Sequence, residues 1–80
     1  METSRLQELT KTAAGFMGAR NIWPNGLGFD FMGWSFKYDE ATGEWQAVRP
    51  GFIVGSGGTC EDARMNAIML QRQARKAVAA

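Results

Sequence analysis

Apolar residues at Leu6, Leu9, Ala13, Phe16 and Met17 recur every three or four positions, a spacing that gathers side chains onto one stripe of an α-helix. Ser4 and Gln7 have the residue types of a capping box ahead of that stripe, and Gly18 supplies a stop behind it. The next stretch, "NIWPNGLG", holds a proline, an asparagine-glycine pair and a further glycine, so it reads as a connection. From Phe29 to Tyr38 the pattern changes to alternation dense in aromatic rings, as in a strand. The phase slips on the way: Phe29 and Phe31 share one face, whereas Trp34, Phe36 and Tyr38 share the other, with Gly33 at the change. A bulge at Gly33 adds one residue to the pleat and reconciles the two sets.

"DEATGEW" has the composition of a short hairpin loop, with Asp39 and Glu40 as turn residues, and Trp45 restarts an extended run. Pro50-Gly51 suits a tight turn, and Phe52, Ile53 and Val54 suit a short third strand. The glycine-rich Gly55-Ser56-Gly57-Gly58 then turns the corner into a long helix. A phosphate loop at that place needs a lysine, and here Glu61 and Asp62 repel an anion instead. Thr59 can cap this helix with Asp62 at the third position. Glu61 and Asp62 suit the positive end of its dipole, and Arg72, Arg75 and Lys76 suit the negative end. Ala63, Ala67, Leu70, Ala74 and Ala77 form a small-residue stripe that lets the helix lie close to a sheet, with Ile68, Met65 and Met69 as core filling beside it. The predicted architecture is α+β: helix, three-stranded antiparallel meander, helix, with residues 1–80 as one domain.

Composition narrows the chemistry. Eighty residues support one small core. There is no histidine and one cysteine, which removes Ser-His-Asp and Cys-His catalysis and the usual zinc sites. No enzyme activity and no cofactor are expected. Cys60 falls in the first turn of the last helix, where the dipole favours a thiolate, but without a base and beside two acids it reads as inert. No stretch has the length and apolarity of a signal peptide or membrane span, so a cytoplasmic protein is expected. Net charge is +1, so any contact with a polyanion must be local.

The order of elements resembles that of the double-stranded-RNA-binding domain: "RLQELTKTA" looks like its first helix, and "FIVGSGGTCEDARMNAIMLQRQA" like its third strand, glycine hinge and last helix. Where that family places lysines on RNA phosphates, this chain reads Thr59-Cys60-Glu61-Asp62-Ala63-Arg64, with Arg64 the one cation. "GEWQAVRPGFIVGSGGTCEDARMNAI" is similar to the HicB-like antitoxins, whose domain is a partial version of the same fold. Gly43, Trp45, Ala47, Pro50, Gly51, Gly58, Thr59, Glu61, Ala63 and Asn66 carry that likeness. It implies a protein that binds and restrains another protein, typically an RNA-cleaving toxin.

Two candidate surfaces follow. Two helices cover one face of a small sheet, so part of the aromatic set is expected to stay accessible, with Trp34, Phe36, Tyr38 and Trp45 as a partner-binding or homodimer patch. The other possibility is that "NIWPNGLG" folds over the patch and Trp23 caps it. This surface leads to the first functional reading, an antitoxin-like or phage-type inhibitor that blocks a nuclease, toxin or other nucleic-acid-processing protein. The second surface is the cationic face of the last helix, Arg64, Arg72, Arg75 and Lys76, with Lys11 as a further candidate, which implies an RNA-binding domain.

Overall fold

The computed structural model describes residues 2–79. Helix α1 (Thr3–Met17) leads into strands β1 (Asn21–Ile22), β2 (Gly28–Phe31), β3 (Trp34–Asp39), β4 (Glu44–Val48) and β5 (Gly55–Gly57), and helix α2 (Cys60–Ala79) closes the chain. The five strands form one antiparallel sheet in sequence order. The α+β class and the flanking helices agree with the sequence pattern, and the sheet has two more strands than the predicted meander.

Both extra strands have local causes. Residues 29–38 are a hairpin and not one bulged strand: Phe31 pairs with Trp34, and Met32-Gly33 between them both take positive φ, 51° and 84°. Positive φ at both central residues defines the type I′ turn, whose twist matches that of the flanking strands. The reversal sets Phe29 opposite Phe36 and Tyr38 opposite Trp45, so the two aromatic sets meet on one face. β1 arises within the predicted connection, where Asn21 and Ile22 pair with Asp30 and Phe29.

The last strand also differs from expectation. Phe52–Val54 stays outside the sheet, and the glycine-rich β5 pairs with β4 in its place. A β-carbon on Gly55 would lie 2.2 Å from the Ala63 carbonyl oxygen and 2.3 Å from the Ala67 amide nitrogen; one on Gly57 would lie 2.7 Å from the Asp62 β-carbon. The glycines therefore let α2 lie directly on the strand, and Ala63 and Ala67 are its closest residues. Pro50-Gly51 does make the tight turn, with Phe52 N–H donating to the Arg49 carbonyl at 3.0 Å and Gly51 at φ 83°. The Asp39 loop also forms, closed by Gly43 N–H on the Asp39 carbonyl.

The core lies between one face of the sheet and the two helices, and contains Ala14, Phe29, Trp34, Phe36, Trp45, Ala47, Cys60, Ala63 and Ala67. Trp34, Phe36 and Trp45, expected to contribute an accessible patch, are 4%, 0% and 5% exposed, and Tyr38 is half-buried. The rings pack on one another, Phe29 stacked on Phe36 at 5.2 Å and edge-on to Trp45 at 6.2 Å. The uncovered face is the polar one, with Asp30, Ser35, Lys37 and Gln46. Trp23 lies on that face, over Gly28, and donates from Nε1 to Asp30 Oδ1 at 3.0 Å. It does not cap the aromatic set. Trp23 and Ser35 both hydrogen-bond the Asp30 carboxylate, which holds its pKa below the usual value.

Leu9, Ala13 and Met17 of the predicted α1 stripe pack against the core, and the most buried face lies to one side of it. Thr10 and Ala14 are its buried residues, whereas Phe16 is 91% exposed. The Thr10 hydroxyl is satisfied by the Leu6 carbonyl at 2.8 Å. The Ser4–Gln7 capping box does not form: the N-cap is Glu2, without a side-chain cap, and Gln7 reaches the Asn25 carbonyl instead. Gly18 ends the helix in the left-handed conformation, as expected. In α2, Leu70 and Ala77 are exposed, as are Met65 and Met69; Met65 lies between the fully buried Ala63 and Ala67 and so is on the outward side of the helix. Thr59 does cap it, accepting the Asp62 N–H at Oγ1, 3.1 Å. Thr59→Ala is expected to lower stability by about 1 kcal/mol and Thr59→Asp to leave it nearly unchanged. Chemical denaturation of both variants checks this.

Candidate nucleic-acid interface

The groove at one end of the sheet is built by α2, the start of β3 and the link after β4. On α2, Arg64, Ile68, Gln71, Arg72 and Arg75 follow at four, three, one and three positions, which puts them along one side of the helix. Opposite them stand Trp34, the first residue of β3, and Arg49 and Phe52 from the link after β4. Together these eight side chains line a groove of about 300 Å³. Gln71 anchors the far wall by accepting the Ile53 N–H at Oε1, 3.2 Å.

The floor is aromatic and the walls are cationic. Trp34 and Phe52 meet edge to face with centroids 5.2 Å apart. The Arg49 guanidinium lies over both rings, 5.6 Å and 5.4 Å from their centroids, where ring quadrupoles favour a cation and hold it in place. Arg64 binds Glu61 one helical turn earlier, with Nε donating to Oε2 at 3.3 Å and a second bond from the guanidinium to Oε1. That pair spends part of the Arg64 charge within the helix. Among the described residues, Arg72 and Arg75 have no carboxylate partner. Arginine carries its charge at any working pH and presents a planar fork that fits phosphate or carboxylate oxygens two at a time.

The structure thus gathers three of the four cations singled out in the sequence, Arg64, Arg72 and Arg75, in one groove. Lys76 is exposed on α2 outside it, and Lys11 is exposed on α1. Arg49 and Phe52 complete the site; neither was a candidate site residue in the sequence, where Phe52 is placed in the third strand. The signal that finds Arg49 is register: Ser35 pairs with Val48, and continuing the ladder by one residue sets Arg49 across from Trp34.

Charge is unevenly placed along the sheet. β3 and β4 run from the arginine groove to the hairpin that holds Asp39, Glu40 and Glu44, roughly 17 Å away at the usual strand rise. The sheet therefore has four arginines near one end and three carboxylates at the other.

Chemistry at the remaining candidates is limited. Cys60 is buried, and loss of solvation pushes its thiol up to about 12, so at neutral pH it is protonated and a poor nucleophile. No group of three His, Cys, Asp or Glu side chains among the described residues is placed to share a metal ion. No helix among the described residues is long and apolar enough to cross a membrane. Comparison with protein-family models, with characterised proteins and with solved structures gives no match for this chain, so a functional reading rests on the groove itself.

Proposed function

We propose that this chain is a non-catalytic binding domain that holds a nucleic-acid backbone, RNA in the first instance, in the arginine groove. The observation that carries this reading is the meeting of Arg72 and Arg75, without carboxylate partners among the described residues, with Arg49 held over Trp34 and Phe52. A groove of this sign attracts polyanions and is repelled by the basic clefts of proteins that process nucleic acid. RNA therefore comes ahead of an inhibitor acting through this surface. A reducing, cytoplasmic setting fits the single buried thiol.

The test is fluorescence anisotropy on labelled RNA, single-stranded and duplex, across salt. With about three phosphates engaged, affinity should fall roughly 20- to 40-fold between about 50 and 200 mM salt. The double variant Arg72→Ala, Arg75→Ala should lower the slope of log affinity against log salt by about two. Binding that ignores salt, or a double variant that binds like the parent, sinks the reading.

The inhibitor reading keeps one observation in its favour. The acidic hairpin with Asp39 and Glu44 is suited to a basic cleft on a nuclease, toxin or similar protein partner. Capture of a partner that survives nuclease treatment and is lost on Asp39→Lys with Glu44→Lys would put this reading first.

A further inference from the structure

Met32 occupies the first central position of the β2–β3 turn at φ 51°, a geometry that asparagine or glycine adopts at lower cost. Its side chain is 80% exposed, so the unfavourable backbone is not offset by burial. The same side chain lines a second hollow, of about 260 Å³, with Phe31, Trp34, Arg49 and Arg64. Trp34, Arg49 and Arg64 also line the arginine groove. The two hollows are therefore consecutive, and Met32 stands beyond the shared side chains from Arg72 and Arg75.

We propose that the groove takes single-stranded rather than duplex nucleic acid, with phosphates on Arg72 and Arg75 and an unpaired base lying on Met32 and the open side of the Arg49 guanidinium. This rests on the nucleic-acid reading of the groove and specifies its ligand. In a duplex the base faces are stacked on one another, and a side chain approaching the backbone meets sugar and phosphate, with which a thioether has no favourable partner. An unpaired base exposes a π-face, which a thioether sulfur contacts favourably and an arginine plane can stack against. The rings of Trp34 and Phe52 cannot serve as that platform. Trp34 is buried, and Arg49 already covers both. Met32 and Arg49 are the groups left to receive a base, and a strained turn that keeps a methionine in solvent at that point is accounted for by the contact.

The experiment uses the full chain with labelled oligoadenylate of about 10 nucleotides and a duplex RNA of the same length. The parent should bind the single strand more tightly. Met32→Asn relieves the turn and should raise the melting temperature, so its fold is not in question. It should weaken oligoadenylate binding about fivefold while leaving the salt slope and duplex binding unchanged. Met32→Leu, which keeps the apolar volume, should stay within about twofold of the parent. Salt-dependent binding that is indifferent to Met32→Asn, or that prefers duplex, overturns this inference alone. Absence of salt-dependent binding to both RNAs overturns the nucleic-acid reading and this inference with it.

Discussion

Gly55→Ala is expected to lower stability by roughly 3 kcal/mol or more, enough to leave much of the protein unfolded at room temperature. The added β-carbon would sit 2.2 Å from the Ala63 carbonyl oxygen, 2.3 Å from the Ala67 nitrogen and 2.7 Å from the Ala67 α-carbon. All three are backbone atoms within a helix, so no rotamer change relieves the overlap. Either α2 lifts from β5 or the strand leaves the sheet, and each exposes Ala63, Ala67 and Ala47, all fully buried. The neighbouring Gly58 is the control. A β-carbon there meets nothing within 4 Å, and its φ is not in the left-handed region, so Gly58→Ala should be neutral or stabilising by about 0.5 kcal/mol. Urea denaturation of the two variants reads the difference. Similar effects at both positions would mean that the glycines serve the turn into α2 and not the approach of helix to strand.

The same glycines show where sequence reading stops. Glycine is depleted in strands because it packs poorly and loses the most backbone freedom, so Gly55–Gly57 reads as a corner and the β-branched Ile53 and Val54 read as the strand. The reason for the reversal is a helix that approaches within backbone contact, a property of tertiary packing that residue pattern does not carry. Local signals were legible at the Thr59 cap, the Gly18 stop, the Pro50-Gly51 turn and the Asp39 loop, whereas the Ser4–Gln7 box did not form.

The β2–β3 turn was illegible for a different reason. Two-residue hairpins announce themselves by asparagine or aspartate before glycine, and here methionine holds that place. Reading Met32-Gly33 as a bulge kept Phe29–Tyr38 as one strand, which split the aromatic residues between two faces. Once the chain reverses there, all of them point at the helices, and Arg49 comes beside Trp34. The arginine stripe on α2 was visible in the sequence, since helical spacing alone places it. Its partners Arg49 and Phe52 were not, because they depend on register set by that turn.

Trp34→Ala should then behave as a core truncation, with a loss of about 3 to 5 kcal/mol in stability. The indole is 4% exposed, packs edge-on against Phe52 and carries Arg49 above it. Its removal takes away the floor of the groove as well as part of the core, so RNA binding should fall along with the thermal midpoint. Arg49→Ala separates the two effects. It removes a charge and a cation–π contact worth about 0.5 to 1 kcal/mol at an exposed site, so stability should change little while the salt slope falls by about one. Trp34→Phe, which keeps a ring under Arg49, should recover most of the stability lost in Trp34→Ala. Differential scanning calorimetry beside the anisotropy titration gives both quantities for each variant. An unchanged midpoint in Trp34→Ala, together with selective loss of a protein partner, would mean that the indole leaves the core to meet that partner, and the aromatic face rather than the arginine groove would then be the working surface.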